Sequence, residues 1–150
     1  MSIVGIASTK DYLYLVMTTA KKADFAVTKC HRILVDSDNW SSLVTSLSTH
    51  LGHYQAEDTI ETFVIARCSS GKFPASPEAF KAEGFAELKC QELGHPISRL
   101  ARRSFKKHLN CKPDQKWQAA AKGMFNSDMK ITYFSSGYDA AISGAYCVAK

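Results

Sequence analysis

Apolar positions along this chain recur with two different periods, and the switches between them outline its elements. Residues 3–7 (Ile-Val-Gly-Ile-Ala) and 12–17 (Tyr-Leu-Tyr-Leu-Val-Met) are short apolar runs separated by the polar turn Ser8 to Asp11, and read as two buried strands. A third strand is predicted over Phe25 to Val35, where Phe25, Val27, Ile33 and Val35 alternate with polar neighbours. Short connections make these three an antiparallel meander. From Trp40 the spacing changes to three and four. Trp40, Leu43, Val44, Leu47 and Leu51 predict an amphipathic helix, with Asp36, Ser37 or Asp38 as N-cap and an end near Gly52. Phe63-Val64-Ile65-Ala66 is continuously apolar, as a central parallel strand covered on both faces must be.

The next helix is the best marked. Ser76 is placed to cap it, Pro77 fits the first helical position and Glu78 suits the helix dipole, while Gly94 and Pro96 stop it. Ala79, Ala82, Ala86, Cys90 and Leu93 give it a narrow stripe of mainly small residues, suited to close packing on a sheet. Ile97 to Leu100 reads as a short strand, 102–109 and 113–125 as helices split at Pro113, and 138–149 as a last helix rich in Ala and Gly. The order β-β-β-α-β-α-β-α-α-α predicts an α/β fold: a meander running into a βαβαβ half, giving a five-stranded mixed sheet with helices on both faces. Residues 3–7 should be central in it, with the strand at 62–66 parallel to them.

At 150 residues the chain is read as a single domain, 1–150, able to bury a core without disulfides or structural metal. No apolar run approaches the roughly 20 residues that cross a bilayer. The start, Met1-Ser2-Ile3-Val4-Gly5-Ile6, lacks the basic region and long apolar stretch of a signal peptide, so no membrane partner is expected. Cys30, Cys68, Cys90, Cys111 and Cys147 are odd in number and include no C-x-x-C pair. They read as reduced thiols of a cytoplasmic protein rather than a disulfide framework or a zinc site. The net charge of +5 is uneven. Between Arg99 and Lys122, eight basic residues face Asp114 alone, so this segment is +7 and the rest of the chain −2. Such asymmetry suits a polyanion.

A family resemblance rests on short motifs in a particular order. These are Val4-Gly5-Ile6 in the first strand, Val64-Ile65-Ala66 in the fourth, Gly71-Lys72-Phe73 ahead of a helix containing Phe80-Lys81-Ala82-Glu83-Gly84, and Asp139-Ala140-Ala141 opening the last helix. In these the chain resembles RuvC-type members of the ribonuclease H-like superfamily, and a group of short bacterial proteins whose nuclease site is degenerate. The resemblance implies a ribonuclease H-like fold. It also implies acids after the Gly-Ile of strand one, at the end of strand four, and once or twice on the last helix. Together these would hold two Mg²⁺ ions for phosphodiester hydrolysis, since hard cations need charged oxygen ligands. Here those positions are Ala7, Ala66, Asp139 and Ile142, so one acid of four survives. Asp11, Glu61 and Glu83 are conceivable replacements, but Asp11 falls in the first turn and Glu61 at the far end of its strand. Asp139 alone does what any acid in a first helical turn does. No catalytic residue, metal or cofactor is therefore expected.

Other candidate chemistry is sparse. Ala66 to Phe73 sits where a phosphate loop would, but lacks its first Gly and its Ser or Thr; Lys72 is left as a phosphate contact at a strand's carboxyl end. His50 and His53 are three apart near a helix end, and Cys30 and His31, adjacent in a strand, point to opposite faces. Arg99, Arg102, Arg103 and Lys106 would share one face if 102–109 is helical, with Lys107 beside them. Tyr12, Tyr14, Trp117 and Tyr133 are candidate stacking surfaces, though such aromatics more often fill cores. The leading reading is a non-catalytic protein binding DNA or RNA by its phosphates, through Lys72, Arg99, Arg102, Arg103, Lys106 and Lys107. The alternatives are a metal-dependent phosphodiesterase with an atypical acid set, and a protein-interaction or homodimeric module.

Overall fold

The period-2 pattern of the first third of the chain becomes a hairpin meander in the computed structural model, which describes residues 1–68, 74–125 and 137–150. Strands β1 (Ser2–Ser8) and β2 (Tyr12–Thr19) pair antiparallel, and β2 pairs in the same sense with β3 (Val27–Leu34). After helix α1 (Trp40–Glu57), strand β4 (Ile60–Arg67) lies parallel to β1 on its other side. Helix α2 (Pro77–Leu93) then leads to β5 (Ile97–Ala101), parallel to β4. The sheet order is β3-β2-β1-β4-β5, with β1 central as its apolar run predicts. A 3-10 turn (Arg102–Ser104) and helices α3 (Phe105–His108), α4 (Trp117–Phe125) and α5 (Tyr138–Val148) follow.

Alternation assigns the two faces. Val4 and Ile6 of β1, Leu13, Leu15 and Met17 of β2, and Phe63 and Ile65 of β4 meet α1 and α2. Their neighbours Ala7, Tyr14, Val16 and Ala66 face the layer of α3, α4 and α5. Ile3 and Val64 meet the end of α5 at Ala145 and Ala149. Helix α5 lies directly on the central strand because Gly5 has no side chain: a Cβ there would sit 2.2 Å from the Ala141 carbonyl oxygen. The glycine of Val4-Gly5-Ile6 and the last alanine of Asp139-Ala140-Ala141 are thus the two halves of one close contact.

Several boundaries differ from the sequence reading. Strand β3 starts at Val27; Phe25 instead stacks on Phe125 and Tyr146, with ring centroids 5.6 and 5.1 Å away. Asn39, not Asp36, Ser37 or Asp38, caps α1 by accepting the Ser42 N–H. The helix also runs through Gly52, whose open surroundings remove only propensity, on to the fully buried Tyr54. The predicted helix at 102–109 is instead a 3-10 turn plus the one-turn α3, and the predicted helix at 113–125 begins only at Trp117. Ser76 caps α2 and Gly94 ends it at φ 78°, as its sequence dictates. Among the described residues, no helix is long and apolar enough to cross a membrane.

Candidate functional site

The parallel strands β1 and β4 end side by side, and there Ala7 and Ala66 are register partners. Both side chains are buried and join Phe105, Ala141 and Ile142 in one apolar cluster. A Cβ on Gly144 of α5 would come within 3.8 Å of both Ala66 and Phe105, so the helix packs tightly over this spot. Three of the four positions that the resemblance marks for acids, Ala7, Ala66 and Ile142, are therefore buried hydrocarbon in one core cluster.

Asp139, the fourth, lies in the first turn of α5 and is 4% exposed. Burial pushes its carboxyl up to about 6, against the Ala140 N–H and the Arg102 charge, which pull it down. Its Oδ1 has no hydrogen-bond partner among the described residues. Among those residues, no group of three or more His, Cys, Asp or Glu side chains is placed to hold a metal ion. Among the described residues Asp139 is thus a single desolvated carboxyl within reach of the Arg102 charge, which does not fit two divalent cations, since these need several charged oxygens.

The polar groups at this end of the sheet are occupied otherwise. Glu83, in the stripe of α2 that also carries Ala79, Ala82 and Ala86, is buried and its Oε1 accepts the Cys68 N–H at 2.7 Å. Ser8 donates to the Ala79 carbonyl at 2.7 Å, and its Oγ lies 3.1 Å from Cys68 Sγ. Burial raises the Cys68 thiol. Arg102 leaves the end of β5, and its Nη2 donates to the Ser8 carbonyl at 2.9 Å, while its buried Nε has no partner among the described residues. Asp11 is exposed in the β1–β2 turn, and Glu61 pairs with Lys150 at the other end of β4; neither reaches this place. A surface cavity of about 430 Å³, lined by Thr19, Lys21, Asp24, Glu61 and Lys150 among others, opens at that far end.

The basic residues singled out in the sequence do not share one helical face. Arg99 sits in β5 and pairs with Glu87 of α2. Arg102 turns inward to Ser8. Arg103, Lys106 and Lys107 are exposed on the turn and α3, and the Lys107 charge reaches Cys147 near the end of α5. Lys72 and Tyr133 lie outside the described residues. Tyr14 and Trp117 are core, edge-on to Tyr138 and Phe105. Half-buried Tyr12 carries the Arg32 guanidinium 4.3 Å from its ring centroid. Arg32 is a basic group that the sequence reading did not single out; its place over Tyr12 follows from the β2–β3 register, which pairs Tyr12 with Leu34 and Tyr14 with Arg32. Cys30 and His31 do face opposite ways. Cys30 meets the α5 layer, whereas His31 bonds Tyr54 Oη at 2.8 Å and stacks on His50 with centroids 4.3 Å apart.

A five-stranded mixed sheet in this order, sandwiched between helices with the last helix crossing its central strand, is a ribonuclease H-like fold of the RuvC type. Thermus thermophilus RuvC has the same architecture: one structure superposes with a TM-score of 0.73 at 12% identity, covering 100% of this chain and 99% of that one. T. thermophilus RuvC in complex with a Holliday junction substrate superposes at 0.70, with 14% identity and 97% and 90% coverage. The yeast mitochondrial Holliday junction resolvase gives 0.59 at 8% identity, covering 96% and 74%. No protein-family model matches the chain, and no curated protein is similar to it in sequence.

Proposed function

We propose that the protein is a non-catalytic nucleic-acid-binding domain, residues 1–150, on a RuvC-like scaffold whose nuclease site is degenerate. It holds DNA or RNA by the phosphate backbone. The observation that carries this reading is the register pair Ala7–Ala66, buried in one apolar cluster with Ile142, where the scaffold's chemistry would need carboxylates. Support for nucleic acid comes from the fold, which is shared with a RuvC structure bound to a Holliday junction substrate, and from the exposed Arg103, Lys106 and Lys107. All five cysteines are free thiols, which suits a reducing compartment and hence the cytoplasm.

Phosphate contacts release condensed counterions, so log affinity should fall linearly with log salt, by about 0.9 per phosphate on duplex DNA. About five contacts give a loss of nearly three decades between 50 and 200 mM salt. Fluorescence anisotropy at several salt concentrations tests this. Replacing Arg103, Lys106 and Lys107 by Ala should weaken binding and flatten the slope without unfolding the protein, because solvated charges add little to stability. Absence of binding to DNA and RNA at 50 mM salt would remove nucleic acid as the partner.

A further inference from the structure

We propose that Arg102 stands in for the metal ions of the scaffold, as a built-in cation that contacts a phosphate of the bound nucleic acid directly. The inference rests on the nucleic-acid reading above and names the group at the centre of that site.

Three elements converge where the scaffold would gather its ligands: the end of β1, the end of β4 and the first turn of α5. Arg102 touches or senses all three. Its Nη2 is anchored on the carbonyl of Ser8, the residue after Ala7. Its charge acts on Cys68, just past β4, and on Asp139 in the first turn of α5. Two atoms there lack a hydrogen-bond partner among the described residues, Arg102 Nε and Asp139 Oδ1. A positive charge is thus anchored at the end of β1, and the one surviving acid lies within its reach.

An arginine can do part of what a divalent cation does. It carries five N–H donors in a rigid fork that matches a phosphate, and its charge does not depend on pH in the working range. Among the described residues only Nη2 is engaged, on Ser8, and the side chain is partly exposed, so guanidinium N–H groups are left for an incoming phosphate oxygen. It cannot activate water as a metal does, so it positions a phosphodiester without cleaving it. The anchoring also separates Arg102 from its neighbours: Arg99 is turned to Glu87, and Arg103, Lys106 and Lys107 carry solvated charge.

The test uses the full chain and labelled duplex, single-stranded and four-way-junction DNA, at constant ionic strength in EDTA and then in Mg²⁺. Wild type should bind equally well in both. Arg102→Gln should lose about tenfold in affinity, the size of one charge-assisted contact, and its salt slope should fall by about one phosphate. Arg102→Lys, which keeps the charge and loses the fork, should fall between the two. Arg99→Gln should bind within twofold of wild type. If Arg102→Gln does not fold, the Nε–Hε resonance of wild-type Arg102 serves instead, and it should shift on titration with a short oligonucleotide. Undiminished binding by a folded Arg102→Gln, an unmoved Arg102 resonance, or binding that requires Mg²⁺ would overturn this inference while leaving nucleic-acid binding standing. No binding by wild type at all would overturn both.

Discussion

Asp139→Asn should stabilise this protein at neutral pH, and the gain should vanish in acid. The carboxyl is 4% exposed, and burial raises it from 3.8 to about 6. Between these values the folded chain binds a proton that the unfolded chain has released. Stability contributed by the protonated group is therefore present below pH 3.8 and lost as the pH rises through 6. At pH 7 the shift of about two units corresponds to a penalty of about 3 kcal/mol for holding the charge. At pH 4 the same linkage leaves only about 0.5 kcal/mol. The amide has nearly the same shape and no charge to desolvate, so the substitution should recover most of that penalty at pH 7, less what Arg102 loses as a neighbour. Urea denaturation of both proteins at pH 7 and pH 4 measures it, with the midpoint difference large at the first and small at the second. A variant destabilised by the same amount at both pH values would refute the reasoning, because Asp139 would then be serving through its hydrogen bonds and not suffering from its charge.

Gly5→Ala should destabilise by at least the 1–3 kcal/mol usual for overpacking, because the new Cβ meets the Ala141 carbonyl and cannot move aside; thermal unfolding that matches wild type would disprove the contact. Glu83→Ala should cost about 1–3 kcal/mol by orphaning the Cys68 N–H, a loss visible in denaturant midpoints. His31 and His50 are both held below 6.5, first by burial; the charges of His50, Lys29 and His53 add to the effect on His31, and that of His53 to the effect on His50. The unfolded chain then takes protons first, so stability present above pH 6.5 should decline as the pH falls below it. His31→Gln should reduce that decline, and an unchanged pH profile would count against the stacked pair.

How far the fold could be read in the sequence depended on whether an element's signal was local. β1, β2 and β4 are buried on both faces and announce themselves as apolar runs; α2 carries its own cap, its Pro and its terminating Gly. Between Ala101 and Trp117 the chain instead follows the packing of Phe105, Leu109 and Trp117 against α5, and helical spacing among the charges there was misleading. Ala7, Ala66 and Asp139 were identifiable from their motifs, but the direct pairing of Ala7 with Ala66 is a sheet register between distant segments. Glu83 gave a usable signal, since it lies four residues after Ala79 and three before Ala86 on the packed stripe. The inward turn of Arg102 gave none, because side-chain direction in a 3-10 turn after an edge strand is set by the partner it finds.

The central claim, binding without cleavage, meets its most direct test in one experiment. A labelled four-way junction is incubated with excess protein in Mg²⁺ or Mn²⁺, and the products are run on native and denaturing gels. The expected result is a retained complex whose strands are all intact. Metal-dependent strand cleavage that Asp139→Asn abolishes would contradict the account.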